Sequence, residues 1–453
     1  MTSAACDALY PAHLETLATR ASAALAAEGF DALIVHAGFA RNTFQDDQAY
    51  PYRVNPHFNW WLPLADAPDS LLYVRPGRRP LLIFHSADDY WHKPPALPDA
   101  GWLQHVDVVQ VSTAAGARAA LPAQLGNTAF IGERYPRIED LGAVDINPDG
   151  LLLRLQEHRV RKTPYEQQCQ REANVAGVRG HVAAAAAFAA GASEYQIHMA
   201  FLSASGQREI ELPYQSIVAV NENAASLHYQ SLQRAPASPQ RSLLIDAGAG
   251  FRGYASDITR SYASAPGDFA VLITRMDELQ QSLAAAVRPG IDWRDLHMTA
   301  HQLVAELLRE AEIICIDADE AVHNGLSGVF LPHGLGHLLG LQVHDVAGFR
   351  ADPTAAPLAA PAGHENLRLT RVLETDFVVT MEPGIYFIDT LLQQALAGRH
   401  AESIDWLRVA DLRRYGGIRI EDDLVVTSTG HENLTRGAFN QLQSASSRTG
   451  GQP

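Results

Sequence analysis

Carboxylates placed within apolar, strand-like segments are the residues of this sequence best suited to chemistry. Asp246 ends the apolar run SLLI, and Asp257 follows across a glycine-containing turn. A hairpin would bring these two carboxylates onto adjacent strands. Glu382, in VVTMEPG, and Glu421, in GIRIEDD, also have apolar neighbours, and an unpaired charge is costly to bury there. The structural alternatives are an aspartate that caps a turn and a glutamate that pairs with an arginine.

Three histidines form a second group. His333 and His337 lie in LPHGLGHLLG, and His344 follows in VHD. The intervening glycines allow close approach of the backbone, which favours a site over a helix face. A single histidine in apolar sequence is more often a hydrogen-bonded core residue, but three together indicate function.

Four carboxylates and one imidazole in one region predict a metal centre. They could not gather in a core without cations, and four negative charges balance two divalent ions. Oxygen-rich ligation with a single nitrogen suits Mn²⁺, also accommodates Co²⁺, Fe²⁺ or Zn²⁺, and disfavours a thiolate zinc site. Two such ions would activate a bridging water and hold both oxygens of a hydrolytic transition state.

The elements that must position these residues fall into two regions. Up to about residue 158, strands alternate with helical stretches, which predicts an α/β domain. The polar, aromatic insert at 45–64 is predicted to be an ordered loop. The strands are predicted at 31–38, 70–75, 79–86, 106–112 and 127–133.

A capping box in RVRKTPYEQQ, formed by Thr163, Pro164 and Glu166, predicts the start of the helix that opens the second region. Residues 159–440 are predicted to form an α+β domain, a mainly antiparallel sheet carrying helices at about 266–287 and 293–312. The polar tail at 441–453 is expected to be frayed. The β segments are predicted at 216–220, 242–248, 253–263, 377–387 and 418–427.

Composition narrows the class of protein. The chain has 453 residues, 47% of them hydrophobic and 19% charged, enough for large cores in two domains. A formal net charge of −16 argues against nucleic acid and anionic membranes as partners. The three cysteines lie far apart, and we find no signal-peptide pattern and no apolar run near the ~20 residues of a membrane span. These features predict a cytoplasmic protein.

The motifs IDAG, SDITR, HGLGH, VHD, MEPG and RIEDD, in this order, resemble those of the pita-bread metallopeptidases (family M24B). The likeness is strongest to the branch that cleaves Xaa-Pro bonds, and within it to the bacterial proline dipeptidases, or prolidases. YPYRVNPHFNWWLPL and HGLGHLLGLQVHDVAGF extend it over nearly the whole chain. The resemblance implies a creatinase-like N-terminal domain, a pita-bread catalytic domain, a homodimer, and hydrolysis of dipeptides with a C-terminal proline by a metal-bridging hydroxide.

The same resemblance implies a role for each candidate. Asp257 and Glu421 would bridge both ions, and Glu382 would also carry a proton to and from the bridging water. The implied metal ligands are Asp246, Asp257, His337, Glu382 and Glu421. The residues implied around the substrate are His228 and His344 in the cleft, Tyr214 and His333 near the metals, Arg368 for the substrate carboxylate, and Asp46 (or Asp47) of the partner subunit for the free α-amine. Arg419 would support a ligand carboxylate.

Several alternatives remain open. Arg368 could be an ordinary surface arginine, and Asp46 and Asp47 could be solvated loop residues. An aminopeptidase P, which acts on longer Xaa-Pro peptides, would use the same metal set, and a metal-free binding module could share the fold. Methionine aminopeptidase and a creatinase-like amidinohydrolase fit less well. Hydrolysis of organophosphorus triesters is a further expected side activity.

Overall fold

The computed structural model describes residues 4–87, 90–134, 138–142 and 144–449. The chain divides into two compact units. The first comprises the described residues up to Cys169 together with Asp352–Thr354, and the second comprises Gln170–Ala351 and the described residues from Ala355 onward. No helix in the described part of the chain is long and apolar enough to span a membrane.

The first unit is built on a six-stranded mixed sheet with the strand order β4-β3-β2-β1-β5-β6. Its strands are β1 (Ala32–His36), β2 (Leu71–Val74), β3 (Leu81–His85), β4 (Asp107–Val111), β5 (Thr128–Ile131) and β6 (Asp145–Ile146). Its α-helices are α1 (Ala4–Glu28), α2 (Pro56–Trp61), α3 (Ala114–Ala120) and α4 (Asp149–Val160). Strands β1 and β2 are buried along their whole length, as expected where helices cover the sheet. The predicted α/β architecture is confirmed.

The prediction of a loop throughout 45–64 is wrong, because the segment contains helix α2. Asn55 is its N-cap and accepts a hydrogen bond from the backbone N–H of His57, while Pro56 occupies the first turn. Trp60 and Trp61 are buried. Six residues are too few for the helical period to stand out in the sequence, where the proline and the aromatic residues indicate a loop.

The second unit is α+β, as predicted. Helix α5 (Pro164–Ala189) begins in the first unit and continues into the second. The other helices are α6 (Glu194–Ser205), α7 (Asp268–Ala285), α8 (Trp293–Glu310), α9 (Ala318–His323), α10 (Ser327–Phe330), α11 (Asp389–Ala397), α12 (Trp406–Leu412) and α13 (Leu434–Thr449). The strands are β7 (Ile217–Val220), β8 (Ser242–Asp246), β9 (Gly250–Phe251), β10 (Tyr254–Ala255), β11 (Thr259–Ala263), β12 (Val378–Met381), β13 (Gly384–Tyr386), β14 (Gly417–Arg419), β15 (Asp422–Val426) and β16 (His431–Asn433).

These strands form small antiparallel sheets, β11-β8-β7, β12-β15-β16, β10-β9 and β13-β14. The predicted capping box is present at the start of α5, where the Glu166 carboxylate accepts from the backbone N–H of Thr163 at 2.8 Å. The prediction of a frayed tail is wrong for residues 441–449, which belong to α13. Apolar residues such as Phe439 and Leu442 anchor this helix on a small core that contains Val178 and Ile258.

Each strand segment predicted to carry a candidate carboxylate is interrupted at or beside that residue. Asp257 lies between β10 and β11, Glu382 between β12 and β13, and Glu421 between β14 and β15. A residue outside the regular ladder can turn its side chain toward a common centre. The sequence pattern identified the strands but did not reveal these breaks.

Candidate metal centre

Asp246 and Asp257 are brought together by the hairpin that the sequence predicted. Strands β8 and β11 pair antiparallel with Asp246 opposite Thr259, so Asp257 lies just before the paired residues. Both carboxylates are buried. The turn packs tightly, because a Cβ added at Gly248 would lie 2.0 Å from the carbonyl oxygen of Ser256.

We therefore expect Gly248→Ala to destabilise the hairpin. The added methyl group would meet backbone, which cannot rotate away, so the free energy of unfolding should fall by about 1–3 kcal/mol or more. Urea denaturation would measure this loss. Gly328→Ala is the matched control, because a Cβ there has no neighbour within 4 Å among the described residues. Equal stability of the two variants would contradict the prediction.

His337 lies in an extended segment that pairs with β12 through Leu338 and Val379. Its backbone N–H donates to the Thr380 hydroxyl, and a Cβ at Gly336 would lie 2.2 Å from the Thr380 carbonyl oxygen. The ring Nδ1 lies 3.0 Å from the carbonyl oxygen of Leu338, which can only accept a hydrogen bond. Nδ1 therefore carries a proton, and Nε2 is the nitrogen available to a metal ion.

Glu382 and Glu421 complete the set of candidate ligands. The backbone N–H of Glu382, directly after β12, donates to the carbonyl oxygen of Leu335. Glu421 forms an isolated bridge with Thr259, and the Thr259 hydroxyl donates to its carboxylate at 2.7 Å. These contacts hold both glutamates on the same side of the unit as the segment that carries His333 and His337.

The side chains meet at one buried point within the second unit. Ligand atoms of Asp257, His337 and Glu421 all lie within 4.8 Å of one another. Nε2 of His337 is 3.5 Å from the Asp257 carboxylate and 3.7 Å from that of Glu382. The Asp246 carboxylate joins them through Arg419, which donates to it and to the Thr259 hydroxyl, and this hydroxyl donates to Glu421. All five predicted ligand side chains thus belong to one cluster.

The electrostatics of the cluster show an excess of buried negative charge. Burial, followed by the charges of Asp257, Glu382 and Asp246, raises the pKa of Glu421 well above its ordinary value. Burial raises the pKa of Glu382 to about 7 and also raises the pKa of Asp246. Burial lowers the proton affinity of His337, but Asp257 and Glu382 outweigh it and raise the His337 pKa to about 8. Carboxylates that resist ionising together are the groups that a cation would stabilise.

Arg419 is the positive side chain within this acidic centre. Its guanidinium donates to the Asp246 carboxylate at 2.5 Å, to the Tyr386 hydroxyl at 2.8 Å and to the Thr259 hydroxyl at 3.1 Å. Burial acts against its charge, but Tyr386 and the surrounding carboxylates raise the Arg419 pKa well above its ordinary value. The sequence predicted a support role for Arg419 but did not identify Tyr386.

His333 stands next to the cluster and belongs to a hydrogen-bond chain. Its Nδ1 lies 2.8 Å from the carbonyl oxygen of Gly334, so Nε2 accepts from the Tyr386 hydroxyl, also at 2.8 Å. Burial and the charge of Arg419 lower the pKa of His333 to about 4, which keeps the ring neutral. Its Nδ1 is 3.9 Å from the Glu382 carboxylate, whereas Nε2 of His337 is 3.7 Å from the same carboxylate.

The remaining predicted residues of this unit surround the cluster to different degrees. The His344 ring packs edge-on against His337 with centroids 4.4 Å apart. Partial burial, His337 and Arg368 lower the pKa of His344 to about 4. Burial and the charges of Asp246, Asp257 and Glu421 raise the pKa of Tyr214. His228 and Arg368 are exposed.

Two buried acidic residues that sequence reasoning missed hold the segments that carry Asp257 and His228. Asp423 accepts from the backbone N–H of Asp257 at 3.1 Å. Glu194, at the start of α6, accepts from the Tyr229 hydroxyl and the backbone N–H of Gln233, which anchors the loop that carries His228. Asp423 follows Glu421 in RIEDD and could have been suspected there, but the sequence around Glu194 shows only a helix start.

We expect Glu194→Ala to loosen the His228 loop. Four donors would lose their acceptor, the buried backbone N–H of Val220 and three partly buried groups, and a buried donor left unpaired costs about 1–3 kcal/mol before the loop relaxes. Amide hydrogen exchange of residues 226–233 should accelerate, while exchange in β12 should not change. Glu209→Ala is the matched control, because Glu209 is exposed and contacts only His198 among the described residues. Unchanged exchange in residues 226–233 would contradict this role.

Comparison with known proteins identifies the family of this chain. Residues 8–156 match the model of the Xaa-Pro dipeptidase N-terminal domain, and residues 168–428, more than half of the chain, match metallopeptidase family M24. The chain belongs to metallopeptidase family M24. The relatives within the family include the Xaa-Pro dipeptidase of Stenotrophomonas maltophilia strain K279a, 49% identical over 95% of this chain and 97% of that protein. The Xaa-Pro dipeptidase of Xanthomonas axonopodis pv. citri is 48% identical over 96% and 98%.

Solved structures of M24 relatives share the fold. Aminopeptidase PepP of Pseudomonas aeruginosa superposes with a TM-score of 0.71 at 24% identity and covers 94% of this chain and 95% of its own. Aminopeptidase P of E. coli, solved with the inhibitor Pro-Leu, gives 0.72 at 22% identity, with 95% of both chains covered. The predicted pita-bread architecture with an additional N-terminal domain is confirmed.

Membership in the M24 metallopeptidases implies divalent metal ions, and the cluster fits them. Oδ1 of Asp246 is buried and has no hydrogen-bond partner among the described residues. His337 presents Nε2 to the carboxylates, as a metal-binding histidine does. The four carboxylates and one imidazole provide the hard, mostly oxygen donor set that suits Mn²⁺ and its neighbours.

Asp46 lies in the other compact unit and is exposed. Its carboxylate accepts from the backbone N–H of Gln48 in a turn, and this hydrogen bond lowers the pKa of Asp46. Asp47, the alternative candidate, lies in the same turn and is also exposed. The proposed role of either residue at the substrate amine stays a prediction.

Proposed function

We propose that this protein is a dinuclear metal-dependent hydrolase of dipeptides with a C-terminal proline. The observation that carries the proposal is the buried cluster of Asp246, Asp257, His337, Glu382 and Glu421 in a chain whose curated relatives are named Xaa-Pro dipeptidases. Three buried carboxylates and the partly exposed Glu382 leave, beside the Arg419 guanidinium, a negative charge that two divalent ions would neutralise.

The five clustered side chains would hold the ions, and Asp257 and Glu421 are proposed to serve both. Mn²⁺ is the proposed metal because oxygen donors dominate the set. When bound, the ions supply Lewis acidity and lower the pKa of a coordinated water. Arg419 keeps Asp246 oriented through a bond that leaves Oδ1 free for a metal.

Protons are handled by the chain's own side chains. Glu382, which is less buried than Asp257 or Glu421, can accept a proton from the attacking water and deliver it to the departing proline nitrogen. His344, packed against His337 with one edge exposed, can donate a hydrogen bond to the oxygen that becomes negative at the scissile carbonyl. His228 is proposed to line the same cleft, because its charge acts on both His333 and His344.

Arg368 is proposed to pair with the C-terminal carboxylate of the dipeptide. It is exposed, it acts electrostatically on His344, and the described residues place no ion-pair partner on its guanidinium. A planar guanidinium can bind a carboxylate through two parallel hydrogen bonds. A free carboxylate directly after proline distinguishes a dipeptide from a longer peptide.

We expect Arg368→Met to raise KM for Gly-Pro by about 10- to 100-fold, the usual worth of a hydrogen bond to a charged group. The variant should also lose the preference of the wild-type protein for Gly-Pro over its amide, which has no carboxylate. Arg350→Met, in the same unit, serves as the control. If Arg368→Met kept the preference for Gly-Pro over the amide, the proposed role would be wrong.

The function as a whole is tested on purified protein with Gly-Pro, Ala-Pro, Met-Pro and a Gly-Pro-Gly tripeptide across a metal series. The dipeptides should be hydrolysed with Mn²⁺ and the tripeptide should not. Preferential cleavage of the tripeptide would instead indicate an aminopeptidase P. Absence of bound metal and of hydrolysis with every ion would indicate a binding module.

Three finer points are proposed with this function. A homodimer is expected, and light scattering would measure its mass.

Asp46→Asn should raise KM for dipeptides if Asp46 of the partner subunit binds the α-amine, whereas an unchanged KM would remove it from the site. Hydrolysis of a nitrophenyl organophosphorus triester with Mn²⁺ would reveal the side activity, and no turnover would reject it.

A further inference from the structure

A second cluster of nitrogen ligands lies in the same unit, built from residues outside the proposed catalytic set. His297 and His301 are four residues apart on α8 and therefore on one face of the helix. His364, in the loop after Pro361, completes the group. One ring nitrogen from each histidine lies within 4.8 Å of the others.

The three rings pack edge-to-face against one another. Ring centroids are 4.6 Å apart for His297 and His301, 4.8 Å for His297 and His364, and 4.4 Å for His301 and His364. Nε2 of His297 lies 2.9 Å from Nδ1 of His364. Tetrahedral zinc holds its nitrogen ligands at about 2.0–2.1 Å, so they stand roughly 3.3 Å apart. The nitrogens that lie up to 4.8 Å apart would therefore move together by up to about 1.5 Å when the ion binds.

Unpaired nitrogens show that the cluster is incomplete as a hydrogen-bonded group. Nδ1 of His297 and Nε2 of His301 are buried and have no hydrogen-bond partner among the described residues. His297 and His301 are each 1% exposed. Buried imidazole nitrogens are ordinarily satisfied, so the unpaired Nε2 of His301, whose ring packs against the other two, calls for a ligand.

The outer contact of His301 orients its free nitrogen. Nδ1 of His301 lies 3.0 Å from the Ser327 hydroxyl, at the start of α10. When Nδ1–H donates to Ser327, the lone pair is on Nε2, the tautomer that a zinc ligand requires. Burial, followed by the neighbouring rings, lowers the pKa of His297 to about 2 and that of His301 to about 3, so both rings are neutral at pH 7.

We propose that His297, His301 and His364 bind one Zn²⁺ ion, with water as the fourth ligand on the half-exposed side of His364. Three neutral imidazoles favour zinc over Mn²⁺, which prefers oxygen donors. On binding, the hydrogen bond between His297 and His364 opens, and both nitrogens present lone pairs. The proton on His364 Nδ1 moves to Nε2 on the solvent side, so no charge is created on the rings.

Metal content and anomalous diffraction test the site without relying on activity. Protein saturated with Mn²⁺ is equilibrated with buffered Zn²⁺ and separated from free metal, and both elements are counted. Wild-type protein and the control His323→Ala, an exposed histidine of α9, should retain one more equivalent of zinc than His364→Ala. Zinc that displaces Mn²⁺ from the carboxylate cluster would appear equally in all three proteins and cancels in this difference.

Crystals soaked in Zn²⁺ should show an anomalous peak at about 2.0–2.1 Å from one nitrogen of each of the three rings. His364 is in a half-buried loop, and circular dichroism would verify that His364→Ala folds. Equal zinc content in wild type and a folded His364→Ala, or a peak only at the carboxylate cluster, would overturn the proposal. Neither result depends on whether the protein hydrolyses dipeptides.

Discussion

Replacing Asp257 by asparagine is expected to abolish turnover and to release metal. The carboxylate lies 3.5 Å from His337 Nε2 and within 4.8 Å of a Glu421 oxygen, and we propose that it serves both ions. Burial raises the proton affinity of Asp257, but His337 and Tyr214 outweigh it and lower the Asp257 pKa, which keeps this carboxylate ionised. A neutral amide supplies one oxygen and no charge.

The loss in kcat/KM for Gly-Pro should exceed about 100-fold, the upper end of the effect of groups that only support metal ligands. Elemental analysis should find less than the two ions proposed for the parent protein. Asp295→Asn, an exposed position on α8, is the control and should change neither quantity. A folded Asp257→Asn variant with full metal content and normal turnover would refute the proposed centre.

The second large effect is expected for Arg419→Met, measured as stability in the presence of a chelator. The substitution leaves the buried Asp246 carboxylate without its 2.5 Å partner and removes donors to Tyr386 and Thr259. Breaking a buried ion pair by removing one partner costs about 3–5 kcal/mol. Because bound cations would take over the charge of Asp246, the loss should be smaller when Mn²⁺ is present.

Urea denaturation with and without Mn²⁺ measures both values. Arg413→Met is the matched control, since Arg413 pairs with Asp389 at the surface and both side chains are more than half exposed. Exposed ion pairs contribute about 0–1 kcal/mol. Equal losses for the two arginine variants would show that Arg419 does not compensate buried charge.

The sequence was most informative at residues whose charge is unfavourable in a buried position. An aspartate at the end of SLLI or a glutamate within GIRIEDD is so unfavourable in a core that a compensating group could be inferred before any coordinates were known. The capping box at Thr163 could also be predicted, because it depends on local spacing alone. The structure brings ligand atoms of Asp257, His337 and Glu421 within 4.8 Å of one another, and metal binding there stays a prediction.

Contacts between distant segments could not be predicted. Tyr386 reads as an ordinary strand residue, and only the fold brings its hydroxyl to Arg419 and His333. Glu194 reads as the first turn of a helix, yet it anchors a loop about 35 residues away. His364 is an isolated histidine in a polar loop, and nothing local links it to the pair on α8. Such contacts depend on tertiary packing, which a periodic pattern does not encode.

The proposed ligands extend from Asp246 to Glu421 and lie at or beside the ends of strands in separate small sheets. Ions held there tie together chain segments that are remote in sequence and bind only the native arrangement, so they stabilise it by mass action. The population of unfolded molecules then depends on the supply of free metal. Under metal starvation, proteases that attack unfolded chains would remove the protein faster, which would couple its abundance to metal availability.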